Sequence, residues 1–267
     1  MLVHLRLVQA LRGSGRTEEA ESALRSIEAE FAQFAGWLAF DACDYRAAER
    51  YLLIAYKAAD SEGDEALAAH VLHRMGYLAS YQGDWQEGVR RGEAASARAA
   101  KTPFPALRAV TATTRGRAYA KGGNVSKCMA ALDEAEADLN RPASASNPEC
   151  LYYFSHSTLD AGRGIYLALL GDHLQAQSAL RRAVASIPAA FVRDKSFYQV
   201  WLATSLADAG EIPEACRVGN EVVDLLNQAS SRRTTQHLQE LDAKLVTHHR
   251  GLPEVRTLHE RVVLLNA

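Results

Sequence analysis

The sequence is short of the features that most often announce a function. Its four cysteines, Cys43, Cys128, Cys150 and Cys216, are scattered with no C-x-x-C pair, which argues against a zinc site and against a disulfide framework. It has no apolar run of about 18 residues, so no membrane-spanning helix is expected. The formal net charge is only -2, which leaves no broad basic field for nucleic acid or an anionic membrane. There is no G-x-S-x-G, no H-E-x-x-H, no phosphate loop and no G-x-G-x-x-G. Gly13-Ser14-Gly15 and Gly122-Gly123 read as turns rather than phosphate cradles. No catalytic residue, cofactor or metal is therefore expected, and the chain is not expected to be an enzyme. The first residues, MLVHLRLVQALRGSGR, are apolar but short and already periodic. They read as a structural helix rather than an export signal, which makes the cytoplasm the default location.

What is present is helix-forming sequence. Alanine, leucine, arginine and glutamate dominate, and strict alternation of Val, Ile and Thr is nearly missing, so an all-α fold is expected. Six dipeptides mark turns: Gly15-Arg16, Cys43-Asp44, Gly83-Asp84, Gly123-Asn124, Gly171-Asp172 and Gly210-Glu211. They recur about every 39 residues, the spacing of helical-repeat proteins. Small residues recur in phase with them. Gly36, Gly76, Gly116 and Gly164 precede their turns, and Ala48, Gly88, Cys128 and Ala176 follow. Gly in a helix interior costs about 1 kcal/mol relative to Ala, so its repetition at one position implies two backbones in close approach. The turn glycine can cap one helix, and the Asp, Asn or Glu after it can cap or charge-stabilise the next.

These positions resemble the tetratricopeptide repeat, which has Gly or Ala at its eighth position, Ala at its twentieth and a small residue at its twenty-seventh. Gly76, Gly88 and Ala95 stand in those places. The resemblance implies a right-handed superhelix of about six hairpins, near residues 1–30, 31–62, 65–100, 104–140, 148–187 and 194–228. A capping helix pair at 234–266, with Leu238, Leu241 and Leu245 on one face, would close a single domain over 1–267. A helix is expected to start near Pro148 after the Pro/Ser loop 141–150. The first helix, with Leu5, Leu7, Val8 and Leu11, needs a neighbour, which implies either pairing with another chain or a missing upstream part.

A series of segments narrows the resemblance: AGWLAFDACDYRAAERY (35–51), AAHVLHRMGYLASYQGD (68–84), NPECLYYF (147–154), AAFVRDKSFYQVWLA (189–203) and LPEVRTLHERV (252–262). In this order they resemble the C-terminal repeat region of actinobacterial helix-turn-helix transcriptional regulators. There, the repeats are thought to sense a ligand or mediate oligomerisation. Nothing before Gly13 is long enough for a helix-turn-helix, so DNA binding is not carried over, and Cys150 stands where relatives tend to have tryptophan.

The tetratricopeptide frame implies which side chains line the concave groove. These include Trp37 and Phe40 in the second repeat and His70, His73 and Tyr77 in the third. Thr113 and Arg117 follow in the fourth, Thr158 in the fifth and Phe197 in the sixth. Aromatic walls with a few converging polar groups suit a peptide or small molecule. The His70/His73/Tyr77 stripe lies on one helical face and reads either as a pH-sensitive ligand contact or as an ordinary polar wall. Arg117 reads either as a partner for a ligand carboxylate or as half of an internal salt bridge. Trp37 and Phe40 either line a pocket or pack between repeats. Tyr152, Tyr153, Phe154 and His156 read as helix-start packing or as a lid. The expected function is a ligand- or peptide-sensing, protein-interaction repeat domain of a regulator-like protein. The occupant of the groove would be a peptide, a small molecule or a partner protein. The alternatives are a structural dimerisation module, working as a homodimer without a small ligand, and an enzyme built in the groove.

Overall fold

The computed structural model describes residues 2–11, 17–142 and 145–265. Among them all regular structure is helical: thirteen α-helices and one 3₁₀ turn. The helices gather into two compact units, residues 1–154 and 155–267.

The N-terminal unit contains α1 (Leu2–Leu11), α2 (Glu18–Asp41), α3 (Tyr45–Ser61), α4 (Glu65–Tyr81), α5 (Trp85–Ala99), α6 (Pro105–Lys121) and α7 (Val125–Leu139). The 3₁₀ turn Glu149–Leu151 follows. Helices α2 and α3, α4 and α5, and α6 and α7 form three hairpins; α2, α4 and α6 stack side by side, and α1 lies on α2. The C-terminal unit contains α8 (His156–Leu169), α9 (His173–Ser186), α10 (Val192–Asp208), α11 (Ile212–Gln228), α12 (Arg232–His249) and α13 (Pro253–Leu264). Its hairpins are α8 with α9 and α10 with α11, closed by the pair α12 and α13. Leu238, Leu241 and Leu245 are all buried in that last pair.

The turns form as the residues dictate. Cys43, Gly83, Gly123, Gly171 and Gly210 all have positive φ, the left-handed conformation that ends a helix and that glycine adopts without cost. At Gly83 the backbone N–H donates to Ser80 O at 3.3 Å and the next N–H, of Asp84, donates to Ala79 O at 3.0 Å, which satisfies two orphan carbonyls of α4. The carboxylate of Asp84 then accepts from Glu87 N at 3.0 Å and caps α5. Asp44, Asn124 and Asp172 do the same for α3, α7 and α9. Glu211 makes no such cap; its longer side chain accepts from Gln177 Nε2 at 3.0 Å instead. The Gly15-Arg16 turn lies outside the described residues.

The small residues sit where backbones meet. A Cβ on Gly76 would stand 2.6 Å from Thr114 Cγ2 and 3.2 Å from Gly88 O, and one on Gly164 would stand 3.0 Å from Ala176 O. Around these contacts the core of the N-terminal unit is largely alanine, including Ala29, Ala48, Ala55 and Ala68, with Leu52, Phe40 and Leu78 filling the wider gaps.

Two expectations need correction. No break separates hairpins near residue 30: α2 runs unbroken from Glu18 to Asp41, capped by Thr17 and carrying Glu18, Glu19 and Glu21 in its first turn. That stretch holds no proline and no glycine before Gly36, so nothing local stops it. The helix expected from Pro148 is only the 3₁₀ turn Glu149–Leu151, and α8 begins at His156. Tyr152, Tyr153 and Phe154 therefore belong to the end of the N-terminal unit and not to the start of a long helix.

Candidate binding site

Helices α2, α4 and α6 place equivalent residues next to one another, because the turns that end them, at Cys43, Gly83 and Gly123, are evenly spaced. Trp37, Tyr77 and Arg117 share one register position and form a column. The rings of Trp37 and Tyr77 are 6.0 Å apart between centroids, and the Arg117 guanidinium lies 4.4 Å from the Tyr77 ring centre. One turn further on, Tyr81 adds a second ring 5.4 Å from the same guanidinium. Phe40 sits edge-on to both tyrosines, at 5.7 Å from Tyr77 and 5.1 Å from Tyr81. Trp37 also faces Phe40 at 5.2 Å, and its own ring carries the Arg74 guanidinium at 4.9 Å.

Arg117 is 1% exposed. Its Nε and Nη1 are buried with no hydrogen-bond partner. Among the described residues no carboxylate pairs with it, so the internal salt bridge weighed for Arg117 does not form. A guanidinium stays charged inside a protein, and desolvating it costs several kcal/mol. Contact with two tyrosine faces returns about 2 kcal/mol. The rings alone therefore leave the charge under-compensated.

A second cluster lies beside this column. His70 is 0% and His73 6% exposed, so the histidines lie beneath a cover rather than along an open wall. The cover is Tyr153, whose hydroxyl stands 3.2 Å from His70 Nε2 and 3.4 Å from His73 Nε2. His73 Nδ1 is 2.6 Å from Thr114 Oγ1. His70 Nδ1 is buried and unpartnered, which selects a direction for the chain. If His70 Nε2–H donates to Tyr153 and Tyr153 donates to His73 Nε2, then His73 Nδ1–H donates to Thr114. Only a lone pair, not an N–H, is then left over at His70, the cheaper of the two orphans.

Burial, followed by the neighbouring Arg74 and then His73, pushes His70 well below its ordinary value. Burial, followed by Arg74, lowers His73 to about 3. Both imidazoles are neutral at pH 7. Burial raises the Tyr153 phenol against the opposing pull of Arg74, so Tyr153 keeps its proton. Burial first, and Glu30 second, push the Cys150 thiol up to about 12, which makes it a poor nucleophile. Arg74 itself donates from Nη1 to Gln33 O at 3.1 Å.

The expected site residues therefore divide. Trp37, Phe40, Tyr77 and Arg117 come together, and His70 and His73 lie next to them. Thr113 is on the same helix as Arg117, but its hydroxyl donates to Val110 O at 2.7 Å and is occupied within α6. Thr158 and Phe197 belong to the C-terminal unit. Thr158 is in the first turn of α8, with its hydroxyl 3.5 Å from Ser155 Oγ. Phe197 is buried in α10 under the Arg233 guanidinium at 4.1 Å and beside His237 at 5.7 Å. Arg74, Tyr81 and Thr114 were not among the groove residues the repeat frame selects. Tyr81 is the detectable one, since it stands one helical turn from Tyr77; Arg74 and Thr114 lie off the groove register.

Among the described residues no group of three or more His, Cys, Asp or Glu is placed to hold a metal ion. No helix among them is long and apolar enough to cross a membrane.

No protein-family profile and no curated protein sequence matches the chain. Solved structures do. The nearly identical TPR-like repeats of a Podosopora anserina protein assigned as a kinesin light chain superpose with a TM-score of 0.50, at 19% identity, over 74% of this chain and 94% of that one. A substituted form of those repeats gives 0.51 at 20% identity, with the same coverage. At this identity the likeness is one of fold: a tetratricopeptide-like helical repeat.

Proposed function

We propose that the chain is a ligand- or peptide-sensing interaction domain that captures its target on the α2–α4–α6 face of the N-terminal unit. One observation carries this reading. Arg117 is buried, charged and without a carboxylate, in a column of aromatic rings that share its register. A residue kept for stability alone would be matched by an internal partner. Repeat folds of this kind commonly present such faces to other proteins. The regulator setting rests on the resemblance of segments 35–51, 68–84, 147–154, 189–203 and 252–262 to actinobacterial regulators.

The site reads as one for binding rather than catalysis, because the histidines are held neutral and engaged with Tyr153 and Thr114. Isothermal titration against fractionated cell extract tests the reading. A heat present for the full chain and lost in Arg117→Ala and His73→Ala supports it. Binding unchanged in both variants removes this face from the function.

A second reading is favoured by a separate observation. Val3 and Leu7 on α1 are 75% and 55% exposed, as expected of a surface that another copy covers. Light scattering at micromolar concentration decides it: a strict monomer ends the dimer reading.

A further inference from the structure

We infer that the target of the α2–α4–α6 face presents a single carboxylate to Arg117, with a flat apolar group beside it. The inference rests on the binding role proposed above and specifies the chemistry of the ligand.

The argument starts from what Arg117 lacks. Two of its three guanidinium nitrogens are buried without a hydrogen-bond partner, and the groups against it are the faces of Tyr77 and Tyr81. Ring faces stabilise a cation but accept none of its N–H bonds in the plane of the guanidinium. A water molecule can accept those bonds but brings no charge. An oxyanion supplies both, and a carboxylate matches the planar fork of the guanidinium with two parallel hydrogen bonds.

The shape of the acceptor selects among oxyanions. The neighbouring histidines are neutral, and Arg74, whose Nε is also unpartnered, is engaged through Nη1 with Gln33 O and through its face with Trp37. The planar fork of Arg117 is matched edge to edge by a planar carboxylate and less well by a tetrahedral phosphate. Tyr77, Tyr81 and Trp37 are each only partly buried, so the guanidinium lies one ring's depth from solvent, and whatever carries the carboxylate must lie against those rings. That favours an aromatic or otherwise flat apolar group.

The test uses the full chain and a defined panel: acetate, benzoate and indole-3-acetate, each paired with its primary amide, and inorganic phosphate at matched ionic strength. The readouts are the Arg117 Nε–H resonance, assigned by its loss in Arg117→Met, and the dissociation constants from titrating it. The expected result is that the two aromatic acids bind about tenfold or more tightly than their amides, as a charge-assisted pair requires. Acetate should be weaker than either aromatic acid, and phosphate should shift the resonance least. The same acids titrated by calorimetry should give a binding heat with the unsubstituted chain and none with Arg117→Met. Acids and amides binding equally would overturn the carboxylate while leaving the face as a binding surface. No acid shifting the resonance would also overturn it, and the separate extract titration would then decide the binding role. Because Arg117→Met alone leaves a folding defect as an explanation, Tyr77→Phe serves as the second variant; it keeps the ring face and should retain acid binding within about threefold.

Discussion

The two units carry the same ingredients in different states of completion. In the N-terminal unit the Arg117 guanidinium lies over Tyr77 and Tyr81, with buried histidines close by. In the C-terminal unit the Arg233 guanidinium lies over Phe197, with His237 against Phe197 and Trp201. The difference is the carboxylate. Burial raises Asp194, and the charges of Arg233 first and Arg193 second oppose that rise, so a carboxylate acts on the C-terminal guanidinium. Arg117 has no such partner among the described residues. An arginine on which a carboxylate acts can be held within the scaffold, whereas one stacked on rings and left unmatched fits the binding role proposed for Arg117.

The largest way to separate the units is acid. His70 and His73 are buried neutral in the N-terminal unit, with Arg74 and Tyr153 against them and Glu30 and Cys150 nearby. Unfolded histidines take up protons near pH 6.5, and the folded pair does so only far lower. The unfolded state therefore binds more protons in this window, and stability falls as pH falls. Between pH 6.5 and 4.5 the N-terminal unit should lose up to about 5 kcal/mol, at most 1.4 kcal/mol per histidine per pH unit. Hydrogen exchange followed by mass spectrometry should show α4 and α6 opening in that range while α10 and α11 stay protected. Equal opening of both units would break the comparison. The window stops at 4.5 because Glu65, held down chiefly by its Lys101 hydrogen bond, begins to contribute below it.

Next come the arginines themselves. Arg233→Met should destabilise the C-terminal unit by about 2–3 kcal/mol, since it strands Asp194 with only Arg193 to hold it. Arg117→Met should be neutral or stabilise the N-terminal unit by about 1 kcal/mol, because it removes an uncompensated buried charge at nearly constant volume. Urea denaturation of the two variants gives the signs. A clear loss for Arg117→Met would mean that its charge is matched within the fold.

Smaller effects sharpen the contrast at the glycines. Gly76→Ala should cost about 2 kcal/mol, because the added methyl meets Thr114 at 2.6 Å and the Gly88 carbonyl at 3.2 Å and the backbone cannot yield. Gly162→Ala in α8 should gain about 0.5–1 kcal/mol, since the nearest atom to its new Cβ is the Tyr166 hydroxyl at 3.6 Å, an ordinary contact, and alanine is the better helix former. Thermal melts of the two variants should shift in opposite directions.

Much of the fold was legible because its signals are local. A residue in the left-handed conformation followed by Asp or Asn ends one helix and starts the next within a few residues. Cys43-Asp44, Gly83-Asp84, Gly123-Asn124 and Gly171-Asp172 are such pairs, and Gly210-Glu211 keeps the turn without the cap. Gly63-Asp64 belongs with them. It has positive φ and caps α4 through Asp64, yet it falls outside the long period because it joins one hairpin to the next and not the two helices of a hairpin. The hairpin boundary expected near residue 30 falls inside α2, where the chain has no residue able to break a helix. The site was half legible. Register correctly brought Trp37, Tyr77 and Arg117 into one column, because the turns at Cys43, Gly83 and Gly123 that follow them are evenly spaced. It set Thr158 and Phe197 in the same list, although they belong to the other unit.

The sequence by itself determined the helices, their turns and the alignment of equivalent positions, since capping, glycine conformation and periodicity act over a few residues. The tertiary structure alone decided which polar groups found partners. Tyr153 reaches His70 and His73 from the far end of the unit, the charge of Arg233 on one helix acts on Asp194 on another, and no described carboxylate reaches Arg117. Whether a buried charge is matched depends on which long-range neighbour packs against it, and no local pattern encodes that.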